Sequence, residues 1–156
     1  MTIQIQRILL PTDFSANSNT ATKYACELAT RFDAELHLLH TLDIQAVATT
    51  PNFVMALNLP QYIKESKLAA ETKLTKVLDP QWSAGRKVIH AILEESPKVE
   101  IVRYAQNHDI DLIVLSTHGR TGLAHVLMGS VAENVVRTAP CPVLTVRPEG
   151  HQFVMP

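Results

Sequence analysis

The sequence predicts an α/β fold, a three-layer, doubly wound sheet of five parallel strands in the order 3-2-1-4-5. Strand-like and helix-like segments alternate along the chain, which is typical of parallel strands joined by crossover helices. Such crossovers are right-handed, so a chain that winds outward through three strands and then returns gives this order. Because 156 residues is the size of one domain, residues 1–156 are predicted to form a single domain.

The first elements are two strands with a long helix between them. The first strand is predicted at Gln6 to Leu10 and the second at Glu35 to Thr41. Apolar residues at helical spacing predict a helix from about Ala16 to Phe32. Asp13 and Ser15 are both suitable N-cap residues, and the sequence leaves the choice open.

The middle of the chain is less regular. Ile44 to Pro60 contains two prolines and no clear hydrophobic periodicity, so we predict a long loop. Either a function or disorder would explain a loop of this length. A charged helix follows at Gln61 to Leu78, and Asp79-Pro80 ends it. The third strand is predicted at Lys87 to Ile92.

The last four elements repeat the alternation. Ser96 with Pro97 at the first helical position opens a helix that extends to about Asn107. The fourth strand is predicted at Asp111 to Ser116, and a helix from Gly129-Ser130 to about Thr138 follows a loop. The fifth strand is predicted at Pro142 to Val146.

Composition excludes several classes of protein. Lys and Arg total 14 against 15 Asp and Glu, so the chain lacks the basic surface of a dedicated nucleic-acid binder. Cys26 and Cys141 are too few for a disulfide framework and have no metal-ligand spacing, which favours a reducing cytoplasm. No apolar run reaches the length of a signal sequence or of a membrane span.

The segment from Ser116 to Ser130 is the most informative part of the chain. It leaves an apolar strand, passes through a loop with Gly119 and Gly122, and ends at the start of a helix. Such a loop presents free backbone N–H groups to phosphate. The Walker A pattern is excluded because the last lysine is Lys98, and residues 11–18 contain no glycine for a dinucleotide fingerprint.

The predicted strand order brings distant segments together. Strands 1 and 4 are neighbours, so Pro11-Thr12-Asp13 and the segment beginning at Ser116 border one crevice at the carboxyl ends of the strands. Thr41, at the end of the second strand, borders the same crevice. The crevice is therefore expected to have an acid on one wall and a phosphate-binding loop on the other.

These motifs resemble the universal stress protein family along nearly the whole chain. The resemblance rests on the opening R-I-L-L-P-T-D-F-S of residues 7–15, His40, S-T-H-G at 116–119, G-S-V-A-E-N-V-V at 129–136 and A-P-C-P-V-L at 139–144. It implies a Rossmann-like sheet of the adenine nucleotide alpha hydrolase type. It also implies a homodimer whose fifth strands, Val143 to Val146, pair across a two-fold axis.

Family members that bind ATP carry G-x-x-G, nine residues, then G-[ST]. Here Gly119, the spacer from Arg120 to Met128, and Gly129-Ser130 match this pattern, whereas Ser116 replaces its first glycine. The chain thus resembles the ATP-binding branch. Since the Cβ of a serine limits close approach to ribose or α-phosphate, the replacement bears on affinity more than on the class of nucleotide.

The resemblance implies ATP or AMP as ligand, possibly with Mg²⁺. Asp13 is expected to accept hydrogen bonds from ribose hydroxyls or to hold a metal. The N–H groups of Gly129, Ser130 and Val131, with the Ser130 hydroxyl, are expected to bind phosphate. Arg120 is the one cation placed to neutralise a terminal phosphate. The full set of expected cofactor-binding residues is Pro11, Thr12, Asp13, Thr41, Leu115, Ser116, Gly119, Gly129, Ser130 and Val131.

Three functions remain open from the sequence. The first is a dimeric nucleotide-binding module in stress response or signalling. The second is a slow ATPase or self-phosphorylating enzyme, for which Asp13 and Ser130 are available but no lysine or general base is evident near the loop. The third is a nucleotide-free interaction module. His118 and His125 are interpreted as surface or loop residues, and Cys141 as a packed strand residue.

Overall fold

The computed structural model describes residues 3–48, 58–118 and 128–147. Its five strands all pair in parallel, in the order β3-β2-β1-β4-β5. This confirms the predicted sheet. The strands are β1 (Arg7–Pro11), β2 (Glu35–Thr41), β3 (Val88–Leu93), β4 (Leu112–Ser116) and β5 (Val143–Val146).

Helices cover both faces of the sheet. In the described residues they are α1 (Ala16–Phe32), α2 (Ile44–Ala48), α3 (Leu59–Leu74), α4 (Pro80–Ser83), α5 (Pro97–Asn107) and α6 (Ser130–Thr138). Alternate residues of each strand point to opposite faces. Ile8, Leu36 and Leu38 therefore pack with Leu74 of α3, while Leu9 and Leu39 pack with helices α5 and α6.

The predicted loop from Ile44 to Pro60 is wrong at both of its ends. Helix α2 occupies its first residues, and α3 already begins at Leu59. The side-chain oxygen of Asn58 accepts a hydrogen bond from Gln61 N at 3.5 Å and so caps α3. Residues 49–57 of the predicted loop lie outside the described residues.

Helix α3 ends four residues before the predicted Leu78. Lys76 N bonds to Lys73 O at 3.0 Å and Val77 N to Leu74 O at 3.3 Å, and these i to i+3 bonds tighten the final turn. The Asp79 carboxylate then accepts from Gln81 N at 2.7 Å and starts the short α4, which the sequence pattern did not predict.

Ser15, rather than Asp13, is the N-cap of α1. Its hydroxyl oxygen accepts a hydrogen bond from Ser18 N at 3.3 Å. The Asp13 carboxylate accepts one from Ser15 N at 3.0 Å and another from the Ser18 hydroxyl. Phe14, between Asp13 and Ser15, has a φ of 63°, in the left-handed region that non-glycine residues seldom occupy. This turn holds Asp13 at the end of β1.

Candidate functional site

A cavity of about 620 Å³ opens at the carboxyl ends of the strands, between the first turns of several helices. This is the edge where parallel sheets bind small ligands, and the volume is typical of such sites. Its walls come from the ends of β1, β2 and β4, from α3 and from the start of α6.

Thr12 forms the floor of the cavity and is 6 % exposed. Its N–H donates to Leu39 O at 2.8 Å, and its carbonyl oxygen lies 2.8 Å from His40 Nδ1. The ring of Phe14 packs on the ring of His40 with centroids 4.2 Å apart. Both backbone polar groups of Thr12, at the end of β1, are thus bonded to residues of β2.

The junction of β4 and α6 forms the opposite wall. Thr117 N donates to Val146 O of β5 at 2.9 Å, and the carbonyl of Thr117 accepts from Gly129 N at 2.6 Å. A Cβ added to Gly129 would lie 3.2 Å from Thr117 O. A side chain at Gly129 would therefore make a tight contact with the backbone just after β4, and Thr117 O would have to move by a few tenths of an ångström to accept it.

The predicted site residues meet in one place. All of those that the structure describes line the cavity, namely Pro11, Thr12, Asp13, Thr41, Leu115, Ser116, Gly129, Ser130 and Val131. The tenth, Gly119, lies outside the described residues, as do Arg120 and His125. Ser116 Oγ accepts a long hydrogen bond from His118 N at 3.4 Å.

Gly129 requires one correction. Its N–H was expected to bind phosphate, but here it donates to Thr117 O. The next N–H groups of α6 belong to Ser130 and Val131, which line the cavity and, as members of the first turn, have no acceptor within the helix. The N–H groups that the start of α6 leaves without a helical acceptor therefore begin at Ser130.

Several cavity residues were not predicted. A lysine was not expected near the site, yet Lys73 lines the cavity, with its Nζ 5.5 Å from the centre of the Phe14 ring. Tyr62 and Ser66 lie on the same face of α3. Their spacing along α3 is helical, so the pattern was visible, but polar residues on a charged helix indicate a solvent face equally well.

Histidine and acidic side chains also reach the cavity. His118, interpreted as a surface or loop residue, is half-buried at its wall, with Nδ1 3.0 Å from Thr117 Oγ1. Asp43 lines the cavity as well and accepts a hydrogen bond from Ala46 N at 3.0 Å. In residues 3–48, 58–118 and 128–147 no group of three His, Cys, Asp or Glu side chains is arranged to hold a metal alone.

The two cysteines are not placed for reactivity. Burial raises the pKa of the Cys26 thiol to about 11, even though the charge of Arg86 lowers it. Burial, with the charge of Asp111, also raises the pKa of Cys141. Cys141 packs against the α5 and α6 face, as expected, but lies just before β5 rather than in a strand. Both thiols stay protonated at neutral pH.

A doubly wound parallel sheet with a cavity at its switch point is the architecture of the α/β proteins that bind small ligands at the carboxyl edge of the strands. Within this class, the chain belongs to the universal stress protein family, whose sequence pattern it matches over residues 4–147. This confirms the resemblance that the motifs indicated.

Similar proteins span most of the chain. The universal stress protein MJ0531 of Methanocaldococcus jannaschii is 37 % identical over 142 residues, which cover 91 % of this chain and 82 % of that protein. MJ0577 of the same organism is 31 % identical over 158 residues, covering 94 % and 98 %. The solved structure of MJ0577 superposes with a TM-score of 0.83 at 30 % identity, over 96 % of this chain and 100 % of that one.

A second solved structure gives the same fold. It is the universal stress protein UspA of Lactobacillus plantarum, with a TM-score of 0.72 at 30 % identity, over 94 % of this chain and 100 % of that one. Within the described part of this chain, none of the helices has the length and apolar character needed to cross a membrane.

Proposed function

We propose that this protein binds an adenine nucleotide in the cavity and acts as a dimeric stress-response or signalling module of the cytoplasm. The proposal is carried by one observation, that an acidic side chain and a helix N-terminus line the same cavity. The Asp13 carboxylate lies at the end of β1, and the N-terminus of α6 lies at the end of β4, the neighbouring strand.

The phosphate end of the ligand is assigned to α6. The N–H groups of Ser130 and Val131 and the Ser130 hydroxyl supply donors, and the helix dipole favours a negative charge there. Gly129 contributes by allowing α6 to start against Thr117 O rather than by donating to phosphate. Ser116 stands where the family pattern has its first glycine, and its side chain narrows this end of the cavity.

The nucleoside end is assigned to the strand termini. Pro11, Leu115 and the backbone of Thr41 border the space for adenine, and Asp13 faces the ribose. One Asp13 oxygen already accepts from Ser15 N and the Ser18 hydroxyl, which fixes the orientation of the carboxylate. A single fixed carboxylate suits Mg²⁺, which protein sites hold through one or two carboxylates together with substrate phosphates.

Two more distant proteins of this fold were solved with nucleotides. One universal stress protein was solved in complex with cAMP, with a TM-score of 0.62, and one from Archaeoglobus fulgidus in complex with dAMP, with a TM-score of 0.55. Both are 21 % identical to this chain, so the similarity shows the fold alone. The proposal therefore rests on the residues of this cavity.

Isothermal titration with ATP and AMP, with and without Mg²⁺, tests the proposal. The wild-type protein is expected to bind at micromolar strength, and Asp13→Asn to weaken binding at least tenfold, about 1.4 kcal/mol. Asp109→Asn is the matched control, because Asp109 is 88 % exposed, takes only a 3.8 Å ion pair with Arg7, and lies outside the cavity. No binding by the wild-type protein would refute the proposal.

The dimer is assigned to the edge strand β5. Leu144 is 36 % exposed there, and an edge strand with unpaired backbone groups invites pairing with a second copy. Sedimentation of the wild-type protein is expected to give a dimer, and Leu144→Lys a monomer. Leu68→Lys, on an exposed position of α3, is the control that should remain dimeric. A monomeric wild-type protein would exclude this part of the proposal.

A further inference from the structure

The single cavity is lined by residues from both faces of the sheet, and we call these two sides the α6 lobe and the α3 lobe. The α6 lobe is lined by Ile101 and Ala132, which belong to the core between the sheet and helices α5 and α6. The α3 lobe is lined by Ala70 of α3, whose next turn carries Leu74 in the core of the other face. The nucleotide assigned above uses the α6 lobe and the strand ends, which leaves the α3 lobe without an occupant.

One face of α3 is built toward this second lobe. Its cavity-lining residues follow helical spacing along almost the whole helix. The middle of the face carries only Ser66, Ala69 and Ala70, so it leaves space, while Tyr62 and Lys73 stand toward the two ends. Phe14, in the turn after β1, and His40, in β2, line the cavity as well.

Lys73 gives the α3 lobe its charge. Among the described residues that line the cavity, Lys73 is the one lysine or arginine. The acidic residues in the same lining are Asp13 and Asp43. Among the residues that the structure describes, no carboxylate lies within 4.0 Å of Lys73 Nζ. Its ammonium group instead lies over the Phe14 ring, 5.5 Å from the centroid. This cation–π contact keeps the positive charge beside the α3 lobe.

Phe14 connects Lys73 to the nucleotide site. Asp13, which faces the ribose in the proposed binding mode, is followed directly by Phe14. The ring of Phe14 contacts the ammonium group of Lys73. We infer that the α3 lobe takes a phosphate borne on the ribose, so that the preferred ligand is an adenine nucleotide phosphorylated at the 2′ or 3′ position as well as at the 5′ position. This inference rests on the proposed function.

Asp13 and Lys73 act in opposite directions on such a ligand. A phosphate on the ribose lies beside the Asp13 carboxylate, which repels it, and Lys73 supplies the attraction that offsets this repulsion. Without Lys73 the additional phosphate is therefore a disadvantage. The order of affinity between the ribose-phosphorylated nucleotide and AMP should reverse when the lysine charge is removed, which a general loss of folding would not produce.

The test compares four ligands with three proteins by isothermal titration. The ligands are AMP, ATP, adenosine 3′,5′-bisphosphate and adenosine 2′,5′-bisphosphate, and the proteins are the wild type, Lys73→Met and Lys64→Met. Lys64 lies on the same helix, is exposed and does not line the cavity, so it is the matched control.

The wild-type protein and Lys64→Met are expected to bind one bisphosphate at least fivefold more tightly than AMP. Lys73→Met is expected to bind AMP within twofold of the wild type and the bisphosphate at least tenfold more weakly. Equal affinity of the wild-type protein for AMP and both bisphosphates would overturn the inference and leave the proposed function intact. A Lys73→Met effect on ATP alone would also overturn it, since Lys73 would then serve the 5′ phosphates. Failure of every nucleotide to bind would refute both.

Discussion

Strand β2 carries two buried histidines with different surroundings. His37 is 2 % exposed and His40 is 6 % exposed, and they lie three residues apart, so their side chains point to opposite faces of the sheet. His37 packs toward α5, near the amino end of the strand. His40 lies at the carboxyl end, beside the cavity.

His37 belongs to a cluster of side chains. Its Nδ1 shares a hydrogen bond with the Tyr104 hydroxyl at 2.8 Å, and its Nε2 lies 2.7 Å from Glu35 Oε1, although without the alignment of a hydrogen bond. Lys87 pairs with the same carboxylate, and the ring of His108 stacks on that of Tyr104 with centroids 3.8 Å apart. Burial lowers the pKa of His37, against the opposing effect of the Glu35 charge.

His40 instead bonds to backbone. Its Nδ1 contact is the carbonyl oxygen of Thr12, and its ring supports Phe14. The two histidines are equally hidden from solvent, but one connects elements through side chains and the other fixes the shape of the loop at the site. Burial alone therefore does not distinguish a residue that stabilises the fold from one that positions the site, whereas the identity of the bonded partner does.

Removal of His37 should give the largest change. His37→Ala leaves a cavity and removes the hydrogen-bond partner of the buried Tyr104 hydroxyl, so the free energy of unfolding is expected to fall by about 3 kcal/mol. Urea denaturation measures the change, and His90→Ala, at an exposed position of β3, is the control. Nucleotide affinity should stay within twofold. A tenfold loss of affinity in folded His37→Ala would remove the distinction between the two histidines.

Removal of His40 should affect the site more than the fold. His40→Ala frees the Thr12 carbonyl and the Phe14 ring, and we expect AMP affinity to fall about tenfold, or 1.4 kcal/mol. The free energy of unfolding should fall by about 1 to 2 kcal/mol, less than for His37→Ala. Titration and urea denaturation of the same preparation provide both values. Unchanged affinity would show that the Thr12 loop keeps its shape without His40.

The hydroxyl of Tyr104 sharpens the comparison on the His37 side. Tyr104→Phe keeps the ring stacked on His108 and removes only the hydrogen bond to His37, so a loss of about 1 to 1.5 kcal/mol is expected. Tyr24→Phe is the matched control, because Tyr24 is 53 % exposed on α1. Equal stabilities of the two variants would mean that this hydrogen bond adds nothing net to folding.

Acidification should produce the smallest effect. Since burial lowers the pKa of His37 below the value of about 6.5 found in unfolded chains, the unfolded state takes up the proton first as the pH falls. His37 therefore contributes stability above pH 6.5 that is lost as the pH falls below it, with a slope of at most about 1.4 kcal/mol per pH unit.

The difference between wild-type protein and His37→Gln isolates this term from the other histidines. Measured between pH 7.5 and 5, above the range where carboxylates titrate, the advantage of the wild-type protein should shrink as the pH falls. A constant difference over this range would contradict a lowered pKa of His37.

The sequence was sufficient for the sheet and for one half of the site. Strand order follows from alternation and handedness, and Thr12, Asp13 and Ser130 lie at strand or helix ends, where local sequence determines position. The α3 wall was missed for a different reason. Lys73 and Tyr62 reach the cavity because α3 packs on the face of the sheet beside β2 and β3. A polar helix face does not reveal whether water or a cavity lies beside it.

Two further features did not follow from the sequence pattern. The bond from Gly129 N to Thr117 O joins residues twelve apart at the end of β4, and the family resemblance, which assigned this N–H to phosphate, does not reveal it. The start of α3 at Leu59 depends on the Asn58 cap, which stood inside a segment without hydrophobic periodicity.

Thr117 has a consequence for how ligand and assembly relate. Its N–H holds the last residue of β5, the strand assigned to the dimer, and its carbonyl holds the first residue before α6, the helix assigned to phosphate. The two backbone groups of Thr117 thus bond to two different elements. The start of α6 and the end of β5 are thus joined by two backbone hydrogen bonds through one residue, outside the hydrophobic core.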